Sequence, residues 1–233
     1  MEGIYCGPPP PPDAIWTSWN FDPALLAALV ALGFMLRREP AGIWAVAILI
    51  LAFVSPLCAL SSALFSARVV HHVLLVAVAA PLLALALRPA IRGAIALPFA
   101  VSTLFLWAWH HPAVYDLALV NIAVYWLMQI TLLGSAIWFW AAIFTAGRTP
   151  VDRILFIVAG FAQMGMLGAL LTFAPSALYA THALAPFDWG LTPLQDQQLG
   201  GLIMWVPAGL PFGVIAGFLA RRNWAQLRDG AVC

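Results

Sequence analysis

Long apolar runs alternate with short polar breaks along this chain, and the breaks are marked by proline, arginine and histidine. Crossing a ~30 Å hydrocarbon layer takes an α-helix of about 20 apolar residues. By that measure seven runs emerge, at 23–36, 41–64, 67–87, 94–109, 117–144, 152–173 and 197–220. The first and fourth are short for the task. Asn20 or Asp22 can cap the first run, Asp152 the sixth after Pro150, and Asp196 the seventh, with Gln197 and Gln198 beside it. The pattern predicts an all-α polytopic membrane bundle of about seven transmembrane helices. It is divided into a proline-rich tail at 1–22, the bundle at 23–220 and a second tail at 221–233.

Composition agrees with the pattern. The 233 residues are 64% hydrophobic and 8% charged, with a mean hydropathy of +0.97. Soluble domains carry about 25% charged residues, so most of this surface must face lipid. The prolines from Pro8 to Pro12 cannot form the apolar core of a signal peptide, and the amino-terminal tail is expected to be extended and retained.

Charge sets the orientation. No lysine is present, and nine arginines fall at alternate ends of the runs: Arg37, Arg38, Arg88, Arg92, Arg148, Arg153, Arg221, Arg222 and Arg228. By the positive-inside rule those ends are cytoplasmic, which puts the amino terminus outside and the carboxyl terminus inside. Only Arg68 disagrees.

All five histidines, His71, His72, His110, His111 and His182, then belong to the outer side. A single interfacial histidine is more often a packing residue than a ligand, but five on one side, two pairs of them adjacent, favour a metal reading. Neighbours in a helix point about 100° apart, so one of His71 and His72 faces the bundle centre; His72 is the choice, with His71 toward lipid or the neighbouring helix. Soft donors share the outer half: Met164, Met166, Met204 and Cys6. Imidazole with thioether or thiolate favours Cu(I), although most buried methionines are core filler. Asp196 and Asp116 are candidates to orient a ligating imidazole. Cys58 reads as a small buried residue, and a Cys6–Cys58 disulfide is allowed in an oxidising compartment. Cys233 lies on the inner tail. The glycines at 165, 168, 200, 201, 209, 213 and 217 are expected to let the last two runs pack closely.

Several function classes drop out. A retinal protein needs a lysine. A hydrolase needs an activated nucleophile in a recognisable turn, which Ser61, Ser62 and Ser66 do not supply. Transport is not excluded but is the weaker alternative, since a transporter is expected to show a polar path right through the bilayer and polar groups here gather on one side. A haem carrier with His72 and His110 or His111 as axial ligands stays open.

Ordered blocks carry a resemblance. They are Ser55-Pro56-Leu57, Ser66 to Leu75 with its His71-His72 pair, Ala80-Pro81-Leu82, and Trp109-His110-His111-Pro112 through Tyr115-Asp116. Phe139-Trp140, Leu171 to Pro175 with Tyr179, and Asp196 to Pro207 complete the series. Together they resemble the CtaG-like cytochrome c oxidase assembly proteins. The resemblance implies a non-catalytic protein of the bacterial inner membrane that helps mature a haem-copper oxidase, with copper supply as the expected role. The implied partners are the oxidase's catalytic subunit or other assembly factors and the lipid bilayer, with no nucleic acid. It also implies that His72, His110 or His111, and the Asp196 to Met204 block carry the function, with His71, Cys6 or a methionine as further ligands. Where many relatives show histidines, this chain has Arg68, Tyr125 and Gln129. A metal-free chaperone of an oxidase subunit is the alternative.

Overall fold

The computed structural model describes residues 5–145 and 148–230. Every regular element among them is helical: α1 Pro23–Leu36, α2 Pro40–Phe53, α3 Pro56–Ala63, α4 Phe65–Leu87, α5 Ala96–His110, α6 Pro112–Val120, α7 Ile122–Phe144, α8 Pro150–Phe173, α9 Pro193–Trp205 and α10 Gly209–Gly230. Six of these open on a proline at the first helical position, where the missing N–H costs nothing and the fixed φ suits a helix. Large apolar side chains such as Val30, Leu104, Ile130, Leu155 and Val214 lie exposed around the bundle. A water-facing protein would bury them; here they meet lipid.

Length and apolarity suffice for a membrane crossing in four helices: Phe65–Leu87, Ile122–Phe144, Pro150–Phe173 and Pro193–Ala225. The pair α2 and α3, bent by 46° at Ser55-Pro56, makes a fifth if counted as one span. The expected seven is therefore not reached by length. With 14 and 15 residues, α1 and α5 extend only about 21–23 Å. The run expected at 117–144 is also divided, at Asn121, whose side chain accepts from the Val124 N–H and starts α7 afresh. Two expected caps move. Thr149, not Asp152, caps α8, and Thr192 caps α9 in a capping box with Gln195, because Pro193 fixes the first helical position.

The tail is stapled to the bundle. Cys6 and Cys58 form a disulfide. Tyr5 stacks on Tyr125 and donates to Asp22, while Asn20 bonds the Phe53 and Val54 carbonyls at the end of α2. At the other end, α10 runs unbroken past residue 220 to Gly230, and Cys233 lies outside the described residues.

Within α4 the hydrogen bonding changes to a π-turn over Leu74–Ala79. The Ala80 N–H reaches back five residues to the Leu75 carbonyl, and Pro81 has no N–H to offer Val76. The Val76 carbonyl is satisfied instead by the Trp140 indole at 2.9 Å. This bond ties α4 to α7 one turn below His72.

The last helices pack through glycine, but not along the whole expected face. A Cβ at Gly201 would stand 2.6 Å from the Gly168 carbonyl and 2.7 Å from the Thr172 nitrogen, and one at Gly168 would meet the Gly201 carbonyl at 2.7 Å. Gly200 likewise admits Phe65. Gly213 and Gly217 face open space. Gly201→Ala should therefore cost about 1–3 kcal/mol by forcing α8 and α9 apart, whereas Gly213→Ala should be neutral. Tryptophan-fluorescence melting in detergent checks both; equal melting temperatures for the two variants would refute the close approach.

Candidate functional site

The chain breaks at extended Leu64 and restarts as α4 at Phe65, leaving the first N–H groups of the new helix inside the protein. Asp196 of α9, 0% exposed, receives them: its carboxylate accepts from the Phe65 N–H at 2.6 Å, the Ser66 N–H at 3.1 Å and the Ser66 hydroxyl. It was expected to cap its own helix or to orient an imidazole. It instead caps α4, which carries His71 and His72 on the turn before its π-turn.

The loop after α8 is fastened over this end of the bundle. Asp116 accepts from the Ala180 and Thr181 N–H groups and the Thr181 hydroxyl, so it too anchors backbone and holds no imidazole. Tyr179 donates to the His110 carbonyl. His182 is buried between the Ala63 carbonyl, 3.2 Å from Nδ1, and the Tyr115 hydroxyl, 2.8 Å from Nε2. A carbonyl only accepts, so Nδ1 carries the proton and Nε2 accepts from Tyr115. Burial pushes this histidine down to about 4.

The two adjacent pairs resolve differently. His111 is exposed at the corner between α5 and α6, and His110 is buried. Nδ1 of His110 donates to the Leu106 carbonyl at 2.7 Å, which fixes the ring and leaves the Nε2 lone pair as a donor atom. His71 and His72 are both buried, so neither faces lipid. His71 packs edge-on against Phe53 of α2, and His72 faces His110 with ring centroids 6.0 Å apart. Neither nitrogen of His72 has a hydrogen-bond partner among the described residues.

The sulfur candidates divide as well. Asp196 meets Phe65, and Gly200 meets Phe65 and Val69, so one turn further along α9 the buried Met204 stands at the level of His72. Met164 is buried one turn deeper, lining a cavity of about 40 Å³ with Val76, Leu106 and Gln163. Met166 is 48% exposed on the opposite face of α8 and does not join them. Cys6 is committed to its disulfide and offers no thiolate. Among the described residues, no three or more His, Cys, Asp or Glu side chains are grouped to hold a metal ion. What the fold brings together is an inter-helix pair of imidazoles, His72 and His110.

Beside the pair lies a group not counted among the candidate ligands. Arg68, 1% exposed, sits over the Tyr125 ring at 5.4 Å and within electrostatic reach of His71 and His72. The Tyr125 hydroxyl faces both Arg68 and Gln129, with no well-formed hydrogen bond to either. The signal was present: Arg68 is the one arginine that breaks the positive-inside pattern, and intramembrane charge marks function.

A family model for the cytochrome c oxidase caa3 assembly factor matches residues 36–226. The chain belongs to that family. All of α2 to α9 falls within the match, including Arg68, the His72–His110 pair and Asp196, whereas the stapled tail precedes it. No curated protein and no solved structure matches the chain.

His182 gives the loop a pH dependence. Its folded value of about 4 lies below the ordinary 6.5, so the unfolded or undocked loop binds more protons between those values. Docking is full above pH ~6.5 and weakens as the pH falls toward ~4, by up to about tenfold per unit. Hydrogen exchange of residues 178–183, corrected for its intrinsic pH dependence, should show protection falling from pH 7.5 to 5, and His182→Gln should flatten the slope. Unchanged wild-type protection across that interval would rule the linkage out.

Proposed function

We propose that this oxidase assembly factor receives monovalent copper at the outer face of a bacterial inner membrane and passes it to the catalytic subunit of a haem-copper oxidase. The observation that carries the reading is the buried His72–His110 pair. Metal–nitrogen bonds are about 2 Å, and an imidazole ring adds roughly 1 Å on each side, so two rings sharing one ion in line have centroids on the order of 6 Å apart. The 6.0 Å spacing fits that measure. The unpartnered nitrogens of His72 support it further, since a buried imidazole with no hydrogen bond has a lone pair to spend on an ion. Met204, level with His72, adds a thioether of the softness that Cu(I) prefers.

The orientation belongs to the same proposal. With α1, the bent α2–α3 pair and α5 counted as crossings, the bundle has seven, the amino terminus lies outside and the arginine-rich ends lie in the cytoplasm. The Cys6–Cys58 disulfide, at the same end as the histidines, supports an oxidising compartment there. A donor set of two imidazoles and a sulfur, close to the positive charge of Arg68, favours loose holding over storage. Delivery requires that looseness.

Copper per protein after purification under reducing conditions tests the reading. Wild type should hold close to one Cu(I), His72→Ala and His110→Ala should lose it, and His111→Ala should keep it. Absence of copper from wild type and variants alike, with oxidase maturation in cells still dependent on the protein, would overturn copper delivery and leave a metal-free chaperone.

A further inference from the structure

Nine of the eleven buried side-chain nitrogen and oxygen atoms that lack a hydrogen-bond partner among the described residues belong to Arg68, His71, His72 and Gln129. All four side chains are within a few per cent of complete burial. Unpartnered polar atoms in a protein interior are rare and costly, so nine in one place mark a position where something else binds.

The chemistry of the four groups selects what that is. A guanidinium only donates, and it carries a full charge; the Gln129 amide donates twice and accepts through one oxygen; each neutral imidazole donates once and accepts once. The cluster is therefore short of acceptors and of negative charge. Among the described residues no carboxylate lies within salt-bridge distance of Arg68, and the oxygens of Asp196, the other fully buried charge, are already taken by Phe65 and Ser66. Tyr115 and Tyr125, which also approach Arg68, bring hydroxyls but no charge. In a low-dielectric interior a cation in such surroundings is stable only with a counter-ion.

We propose that Arg68, Gln129 and His71 form a binding site for a small monovalent inorganic anion of the chloride class. The Arg68 guanidinium supplies the charge, the Gln129 amide and the His71 N–H complete the donor set, and Tyr125 with the Cys6–Cys58 disulfide covers the site from the tail side. The site is built from residues other than the His72–His110 pair, and the Arg68 charge calls for an anion with copper or without it.

The test is a melting series on the purified full chain in detergent, in sodium gluconate, chloride, bromide and formate at equal ionic strength, read by the fluorescence of its eleven tryptophans. Chloride and bromide at a hundredfold excess over the dissociation constant should raise the wild-type melting temperature over gluconate by about 5 °C or more. Arg68→Lys should keep the response and Arg68→Met should lose it. Gln129→Leu, which retains the charge and serves if Arg68→Met does not fold, should require roughly tenfold more chloride for the same shift. Identical wild-type melting in all four salts would overturn the site, as would a chloride response unchanged in Gln129→Leu and in whichever Arg68 variant folds. Stabilisation by formate alone would also overturn it, giving the position to a carboxylate.

Discussion

One buried carboxylate organises the functional end of this protein. Asp196 satisfies the two N–H groups with which α4 begins, at the positive end of that helix dipole, and so converts an otherwise unsupportable helix start in the protein interior into a fixed joint between α4 and α9. Everything polar that matters follows from that joint. Arg68, His71 and His72 leave α4 within two turns of it, and Met204 leaves α9 two turns beyond it. Glycine keeps the distances short: Gly200 admits Phe65, and the facing Gly168 and Gly201 draw α8 against α9. A larger residue at any of these three would move the joint and, with it, the spacing of the side chains it carries.

The π-turn that follows gives α4 two different registers. Up to Val73 the helix presents its histidines to α2 and α5; after Leu74 the added width of the turn rotates the remaining residues, and the freed Val76 carbonyl finds the Trp140 indole. A uniform α-helix through Pro81 would instead pair the Val76 carbonyl with the Ala80 N–H and leave the Ala77 carbonyl unmatched in a place with no water. The irregularity thus belongs to the same construction as the histidine pair, whose lower edge it forms. The adjoining cavity is lined by Val76, one turn on from His72, by Leu106, whose carbonyl holds the His110 ring, and by Met164.

Apolar runs and proline starts made most of the helices legible, down to the bounds of α1. The breaks at Ser55-Pro56 and Asn121 were written in residues that cap, but inside runs so apolar that hydropathy passed over them. The site was legible in composition and not in contacts. Which of His110 and His111 turns inward depends on the Tyr179 and Asp116 bonds of a loop some 70 residues away, and no local periodicity encodes them. Asp196 misled for a related reason: a carboxylate in a helix's first turn reads as that helix's cap, and only tertiary structure shows that Thr192 already fills the role. Gly213 and Gly217 repeat every four residues like a packing face, yet nothing lies opposite them.

Arg68 then decides how the two proposed sites work together. A Cu(I) ion between His72 and His110 and a guanidinium beside His71 are like charges in a medium that screens them weakly, so either alone would oppose the other. An anion on Arg68 and Gln129 removes most of that opposition without adding a ligand to the copper. The affinity of the imidazole pair is then set by a neighbour that can leave. Loss of the anion restores the repulsion and favours release of the metal, whereas its return favours capture.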